Sequence, residues 1–491
     1  MKQRILMIGL LFAVAMVFVY LWSETTSPLY YDGGYNVDSQ IFQYIGFAMT
    51  QGKVPYTDLF DHKGLLLYIY NALGYLLSPR FGVMLLQGMN LAATLSLWYW
   101  CLVSVRIRYV RLLLTVLSLL LLMTYYQGGN LSEEWSLPFI SYPFAAYVRM
   151  IQSGRCEFHQ RELFAIGLCI GALCLLRLNN AVPVVSLLLY CLAENLYLNR
   201  YAYAGRALVI ISLSFVAAVA TGVLFMLTIG GWQGLKDMWF ANITFNLAYS
   251  ENKQTLWFLQ TDRIRDVYKS LLPIILLLPF AKKQWRIVVP LVFAAALTML
   301  TMGDHPHFHY QMVLLPIIVT CMACYAKTSY GYVLIIAVLL LFARPAWREV
   351  KAKKLPNDDT FRTAFAEMIS AVPHEERKLV WNQDGAFLIQ NFIEAGVLQQ
   401  NRMLLPWQVD RALDLYESEV GRLVRERPKY VILVEYEKVT AIDFKNKSLL
   451  YDEANNYAQY HSDRHFVKEN YKLLSTAKMS NGTRMYMYKK R

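Results

Sequence analysis

Apolar and polar residues alternate in long blocks over the first two thirds of the chain, and short polar segments separate the apolar runs. Most runs have the roughly 17–25 residues that an α-helix needs to cross a bilayer, and a few are shorter. The pattern predicts a mainly α-helical, polytopic membrane protein with about 11 transmembrane helices. The predicted spans lie at about 5–22, 82–105, 111–127, 135–150, 162–178, 181–198, 207–229, 268–281, 286–302, 311–326 and 330–344.

The first run follows a short basic segment, lacks a convincing cleavage site and precedes many more spans, so we predict an uncleaved first helix. A cytoplasmic N-terminus places the short basic loops inside and two long loops, at about 23–64 and 230–267, outside. Of the 15 acidic residues before Pro345, 12 then fall outside, which supports this orientation. Gly64–Leu77 is too short to span and is predicted to lie on or dip into the outer face.

From residue 346 onward the long apolar runs give way to a polar sequence with 24 basic and 20 acidic residues. Alternating strands and amphipathic helices are typical of a small layered α/β domain. We therefore predict a membrane domain over 1–345 and a soluble α/β domain over 346–491, which the span count places outside the cytoplasm. The predicted strands and helices are Lys378–Trp381, Ala386–Ala395, Leu413–Arg425 and Lys429–Val434.

Composition and charge narrow the class of protein. Only 17% of the 491 residues are charged, below the roughly 25% of soluble globular proteins, which argues against a wholly soluble or disordered chain. The net charge of +13 would be compatible with a nucleic acid partner. Many basic residues flank apolar runs, so membrane orientation explains them more simply and we predict no nucleic acid partner. The seven cysteines show no disulfide framework and no paired zinc motif.

Polar residues with acid/base chemistry concentrate in the first outer loop, between Asp32 and Gly64. Several carboxylates beside a lysine and a histidine at a membrane surface suit an acid/base site near a phosphate. A carboxylate accepts a proton from a hydroxyl, and a lysine neutralises a phosphate leaving group. A solvated loop with ordinary polar residues stays open as the alternative. The candidates in this loop are Asp38, Asp58, Asp61, His62 and Lys63.

Two further outer loops and one helix end carry candidate residues. Glu133 and Glu134 stand at the start of a predicted helix, where capping by Ser132 and the helix dipole offer a structural alternative to function. The segment Gly303–Tyr310 has three histidines in five residues, which suits zinc binding, hydrogen bonding or the lining of a cavity. Arg177 ends an apolar helix, where it either reaches the headgroups or holds an anionic ligand.

An ordered set of motifs runs along the chain: Asp38-Ser39, Gly52-Lys53-Val54-Pro55-Tyr56, Asp58-Leu59-Phe60-Asp61-His62-Lys63-Gly64, Asn130, Glu133-Glu134, Pro138, Arg177, His309-Tyr310 and Pro316. In order and layout these parts resemble the GT-C membrane glycosyltransferases, in particular the bacterial members similar to protein O-mannosyltransferases and lipid A aminoarabinose transferases (the family 39 type). That family usually has Asp-Glu where this chain has Asp38-Ser39, and often Lys-Pro-Pro or Lys-Gly-Pro where it has Lys63-Gly64-Leu65.

The resemblance implies an inverting transfer of a sugar from a polyprenyl-phosphate-linked donor to an acceptor hydroxyl at the outer face of a bacterial plasma membrane. Asp38 would deprotonate the acceptor, while Lys63 and Arg177 would bind the donor phosphate. The acceptor would be a lipid, a polysaccharide or a protein, with membrane lipids as surroundings. A divalent metal stays open, and no metal ligand is assigned. The residues expected to line the substrate cavity are Asp58, Asp61, His62, Glu133, Glu134, His309 and Tyr310.

Two other functions stay open, a transporter or flippase for lipid-linked glycans and a catalytically inactive glycan-binding membrane protein. Transporters usually place ionisable residues in mid-membrane. In this sequence the charged residues concentrate in the outer loops, and most predicted spans are free of them. The distribution of charge therefore favours transfer over transport.

Overall fold

The chain forms two compact units. The helical unit comprises Met1–Leu29, Lys63–Ile229 and Asn252–Lys354, and the mixed unit comprises Tyr30–His62, Gly230–Glu251 and Leu355–Arg491. The predicted division near residue 345 is a division by polarity and stays a prediction. The computed structural model describes residues 2–30, 37–247, 271–276, 281–302, 308–326, 330–352, 360–382, 389–398, 400, 427–435, 465–478 and 484–491.

Helices dominate the described part of the chain up to residue 352. Prolines lie inside α7, and α10 is interrupted at Gly231, whose φ of 60° is a left-handed conformation that glycine tolerates best. The helices are α1 (Lys2–Trp22), α2 (Val37–Thr50), α3 (Leu65–Leu77), α4 (Gly82–Cys101), α5 (Arg108–Leu117), α6 (Leu119–Tyr125), α7 (Ser132–Gln152), α8 (Gln160–Leu176), α9 (Val182–Tyr197), α10 (Tyr201–Trp239), α11 (Ala281–Thr301), α12 (Leu315–Tyr325) and α13 (Gly331–Ala352).

The apolar helices make this an integral membrane protein. Some helices at predicted spans are short or carry charge: α12 has 11 residues, and α7 includes Arg149. The count of about 11 spans is therefore not confirmed. Within the part of the chain that the structure describes, four stretches are long and apolar enough to cross a bilayer, namely Ile5–Trp22, Arg108–Tyr125, Leu178–Tyr197 and Tyr201–Leu247.

Close packing of α1, α4 and α7 builds the core that carries the site. A Cβ at Gly88 of α4 would lie 2.1 Å from Met16 Sδ of α1, so a glycine permits this approach. Between α4 and α7, Trp98 Nε1 donates a hydrogen bond to Ser141 Oγ at 2.9 Å. Both side chains are buried, and the bond therefore satisfies polar groups that would otherwise be costly in an apolar interior. The N-terminal end of α7 is held in place by this packing.

The C-terminal part of the mixed unit contains a small sheet and short helices. The strand order is β1-β2-β4-β3, with β1 parallel to β2 and β4 antiparallel to both of its neighbours. A parallel pair needs a crossover connection, and one described element between β1 and β2 in sequence is α15. The elements are α14 (Thr360–Ser370), β1 (Val380–Asn382), α15 (Ile389–Ala395), β2 (Tyr430–Glu435), β3 (Tyr471–Lys478) and β4 (Arg484–Lys490).

Both predicted strands are confirmed, as β1 and β2, and α15 confirms residues 389–395 of the helix predicted over Ala386–Ala395, the rest of which lies outside the described residues. The helix predicted over Leu413–Arg425 lies outside the described residues. The hairpin of β3 and β4 was not predicted, although Met485 and Met487 are buried in alternation along β4. One core cluster of the sheet consists of Val431, Leu433, Val467, Tyr471 and Tyr488.

Candidate functional site

The segment that carries Lys63 lies against the end of the helix that precedes Arg177. The Gly64 amide donates a hydrogen bond to the Leu176 carbonyl at 2.9 Å. A Cβ at Gly64 would lie 2.1 Å from the Leu175 carbonyl oxygen, so a side chain there would collide with backbone. Lys63 itself is buried, and its amide donates to the Tyr68 hydroxyl at 3.2 Å. Two cationic residues far apart in sequence therefore lie on contacting backbone segments of the helical unit.

Arg177 lies in a charged cluster of four side chains. It follows α8 in an extended conformation, and its Nη1 donates to Glu133 Oε1 at 2.5 Å. The guanidinium carbon lies 4.1 Å from the centre of the Tyr310 ring, within the range of a cation–π interaction. His309 Nε2 lies 3.9 Å from Glu133 Oε2. The structure thus brings together Glu133, Arg177, His309 and Tyr310, all of which were predicted as site residues.

The charge of Glu133 is compensated on several sides. Burial by itself raises the pKa of this carboxyl, but Arg177 and His309 beside it hold that pKa below its ordinary value. Ser132 Oγ donates to Glu133 Oε2 at 3.0 Å. The capping alternative is not seen, because Leu131 occupies the N-cap of α7 without a side-chain cap and Ser132 is the first helical residue. Glu133 is thus an ionised partner of Arg177.

The neighbouring Glu134 binds neutral donors instead. It accepts hydrogen bonds from Gln87 Nε2 at 3.0 Å, the Tyr126 hydroxyl at 2.9 Å and the Asn130 amide at 2.5 Å. Burial raises the pKa of the Glu134 carboxyl to about 7, although these donors act in the opposite direction. That Glu134 lines the substrate cavity stays a prediction, and its described contacts join α4, the residue that follows α6 and the loop before α7.

Asn130 shapes the turn before α7. Its φ is +56°, which asparagine tolerates better than most residues. Its Oδ1 accepts from Trp135 Nε1 at 3.0 Å, and its Nδ2 donates to Asn71 Oδ1 at 2.9 Å. These bonds and the turn at Asn130 therefore hold the start of α7 against α3.

A small open cavity adjoins the Arg177 cluster. Its polar lining includes Asn180, whose Nδ2 donates to Ser136 Oγ at 2.8 Å, and Thr298 of α11. His309 is held from the other side, where its Nδ1 lies 2.6 Å from Gln127 Oε1. His305 and His307 of the three-histidine segment lie outside the described residues. Within the described ranges, no group of three or more His, Cys, Asp and Glu side chains could hold a metal ion, and metal dependence stays open.

The other candidate carboxylates belong to the mixed unit. Asp38 occupies the first turn of α2, where a negative charge suits the helix dipole, and it is half-buried. Asp58 stabilises a local turn, since its Oδ2 accepts from the Val54 amide at 2.7 Å. Asp61 is buried, and its Oδ1 lies 3.4 Å from His62 Nδ1.

Two residues that contact this loop were not predicted. Asp237 Oδ2 accepts from Thr57 Oγ1 at 2.8 Å, and Asn246 Nδ2 donates to the His62 carbonyl at 3.1 Å. Both come from the second long outer loop of the predicted topology, and a π-helical turn over Phe240–Thr244 lies between them. Turns of this kind often mark functional sites. The sequence feature that could have identified them is their position as polar residues in a long predicted outer loop.

A family model described as "Putative competence-induced protein Ccs4 N-terminal domain" matches residues 2–335. The chain is similar to ArnT from Cupriavidus metallidurans, solved bound to undecaprenyl phosphate, at 11% identity and a TM-score of 0.56, over 98% of this chain and 97% of that one.

A second similar structure is the Archaeoglobus fulgidus oligosaccharyltransferase in complex with Zn and sulfate. It matches at 13% identity and a TM-score of 0.50, over 98% of this chain and 72% of that one. No curated protein matches the chain. At these identities the likeness establishes the fold alone, and that fold is GT-C.

Proposed function

The chain belongs to the Ccs4 N-terminal domain family, and from this premise and its GT-C fold we propose that it is an inverting glycosyltransferase. It moves a sugar from a polyprenyl-phosphate-linked donor to an acceptor hydroxyl at the outer face of the membrane. The similar ArnT structure holds undecaprenyl phosphate, which supports a lipid phosphate as part of the donor.

The observation that carries the proposal is the contact between the Lys63 segment and the end of α8. The hydrogen bond from Gly64 to Leu176 joins the residues next to Lys63 and Arg177 in the chain. A departing lipid phosphate needs cationic groups that are already in position, because reorganisation during the reaction would cost free energy. Two cations on contacting backbone segments meet that requirement, and the glycine explains how the segments approach so closely.

Arg177 keeps donors for a phosphate while it is held by Glu133. A guanidinium has five N–H groups in a fixed plane, and the ion pair with Glu133 engages one nitrogen, Nη1. Tyr310 covers the guanidinium face and also takes a side-chain hydrogen bond from it. Glu133 and Tyr310 therefore orient Arg177, and in this proposal its remaining N–H groups bind the phosphate oxygens.

Asp38 acts as the general base in this proposal. Its carboxylate takes the proton of the acceptor hydroxyl, and the acceptor oxygen forms a bond to the anomeric carbon. The bond from that carbon to the donor phosphate oxygen breaks on the opposite side of the sugar, which inverts the configuration. The phosphate departs with the electron pair of the broken bond, and Lys63 and Arg177 stabilise its charge.

The composition of the mixed unit supports an outer location for the C-terminal part of the chain. This unit joins Tyr30–His62, Gly230–Glu251 and Leu355–Arg491. The first two segments fall in the two long loops that the basic residues place outside the cytoplasm. Because the C-terminal segment packs into one unit with these two outer loops, we propose that it lies on the same side of the membrane.

The test is transfer of radiolabelled sugar from polyprenyl-phosphate donors to a membrane-extract acceptor by purified protein in lipid. We expect transfer by the wild-type chain and none by Asp38→Asn. The control is Glu469→Gln, which neutralises an exposed carboxylate of the same unit outside the proposed machinery and should retain transfer. Near-normal transfer by Asp38→Asn would remove Asp38 from the role of base. Donor movement across the bilayer without transfer, and without dependence on Asp38, would favour a transporter.

A further inference from the structure

The helix that carries Asp38 packs against the C-terminal part of the mixed unit. Helix α2 contacts α15, and Tyr44 of α2 is fully buried. Its ring centre lies 6.3 Å from that of Phe392. Its hydroxyl donates to the Val397 carbonyl at 3.4 Å, near the upper limit for a hydrogen bond. Ring packing therefore contributes most of this contact, and the hydrogen bond adds direction.

The surface that receives Tyr44 is itself fixed. Phe392 is fully buried and packs on Phe365 of α14 at 5.5 Å between ring centres. Helix α15 is followed by Gly396 at a φ of +65°, whose amide donates back to the Ile393 carbonyl, and the Val397 amide donates to the Phe392 carbonyl. This pattern of two reversed hydrogen bonds is a common C-terminal stop, and it favours glycine at the left-handed position. The stop defines where the Val397 carbonyl lies.

The buried contact is close to the proposed base along one rigid element. Tyr44 follows Asp38 by six residues, and an α-helix rises 1.5 Å per residue, so the two lie roughly 9 Å apart along the helix axis. Catalysis requires reacting groups to be held closely, and a displacement of about 1 Å can reduce a rate about a hundredfold. A shift of α2 at Tyr44 therefore moves the carboxylate at its N-terminus.

We infer that the C-terminal part of this chain positions the catalytic carboxylate, with Tyr44 and Phe392 as the positioning residues. The inference rests on the proposed function, because it takes Asp38 as the base. It assigns a task to a region that lies beyond the residues matched by the family model. The region thereby belongs to the active enzyme and is not an independent appendage.

The experiment compares Phe392→Ala with Leu433→Ala in the full-length protein in lipid. Both side chains are fully buried in the mixed unit, but Leu433 belongs to the sheet core cluster. We expect Phe392→Ala to lower kcat at least about tenfold while the KM for the donor changes less than about twofold, because donor cations lie in the helical unit. Phe392→Leu should restore most of the rate, and Tyr44→Phe should have a smaller effect.

Hydrogen exchange supplies a readout that does not depend on activity. Phe392→Ala should accelerate exchange of the amides of α2, whereas Leu433→Ala should leave α2 protected. Equal loss of kcat in both alanine variants, in proportion to the loss of folded protein, would overturn the inference. Unchanged kcat and unchanged α2 exchange in Phe392→Ala would also overturn it while leaving the transferase intact. Absence of transfer by the wild-type chain would instead overturn the proposed function, and the inference with it.

Discussion

Two regions meet at the N-terminus of α7, and they surround adjacent carboxylates with different partners, charged in one region and neutral in the other. Glu133 faces the charged region, where Arg177 and His309 compensate its charge beside an open cavity. Glu134 faces a neutral region, where Gln87, Tyr126 and Asn130 donate to it in the interior. The neighbours of a carboxylate, rather than its place in a motif, thus decide whether its charge takes part in a site or in the scaffold.

The largest expected effect follows from removing Glu133. Glu133→Ala leaves Arg177 without its ion-pair partner in a largely buried position, and breaking such a pair should lower the free energy of unfolding by about 3 kcal/mol. Transfer should be lost as well, because Arg177 is no longer oriented. Chemical denaturation in lipid–detergent micelles measures the first effect. The double variant Glu133→Leu with Arg177→Met should recover much of the stability and none of the transfer, and full recovery of transfer would contradict the assignment.

A second test disturbs the backbone contact beside the charged region and leaves the charged side chains unchanged. Gly64→Ala introduces a Cβ that collides with the Leu175 carbonyl, and this overpacking should cost about 2 kcal/mol. Because Lys63 and Arg177 flank the contact, binding of undecaprenyl phosphate should weaken in parallel. Gly205→Ala is the matched control, since a Cβ there meets open space in a helix. If both variants bind the lipid phosphate equally well, the contact at Gly64 does not organise the cations.

The neutral region should respond through stability alone. Asn130→Ala removes hydrogen bonds to Trp135 and Asn71 and places alanine at a φ of +56°. We expect a loss of about 1–2 kcal/mol in the free energy of unfolding. Transfer per folded molecule should stay near the wild-type value, measured at a temperature where the variant remains folded. A selective loss of transfer would assign the Glu134 region to the site.

A last effect is a pH dependence of stability that belongs to Glu134. Its pKa is raised by burial to about 7, so the unfolded chain ionises this carboxyl at lower pH than the folded one does. Its contribution to stability is fully present below about pH 4.5 and is lost as pH rises toward 7. Glu134→Gln should remove this part of the dependence, measured as unfolding midpoints across that range. An unchanged slope would show that Glu134 is ionised throughout.

Local patterns in the sequence predicted several helices and strands of the fold. Leu65–Leu77 was expected as a short helix from its apolar run, and β1, β2 and part of α15 from strand and helix periodicity. These elements depend on neighbours within a few residues, which the sequence displays directly. The hairpin of β3 and β4 was not predicted. Lys489 and Lys490 follow the alternating positions of β4 and make this segment of the sequence polar.

The sequence predicted which residues belong to the candidate site, but it did not predict which of them contact one another. Glu133, Arg177 and Tyr310 each stood out as polar residues at the ends of apolar runs. Their grouping depends on how separate helices pack, since Glu133 and Arg177 lie 44 positions apart in sequence. The different environments of Glu133 and Glu134 follow from the helix start at Ser132, because successive residues of a helix point to different neighbours. These contacts depend on the direction of side chains in the folded protein, which local sequence patterns do not give.

The contact between Tyr44 and Val397 joins residues 353 positions apart, and this separation has a consequence for biosynthesis. At roughly 5–20 residues per second, a ribosome needs roughly 20–70 s to synthesise the intervening chain. Helix α2 therefore enters the nascent protein long before the surface that receives it exists. If Asp38 acquires its working position through that surface, a nascent chain that ends before Val397 cannot catalyse transfer, and catalytic competence arises only once this part of the chain has been made.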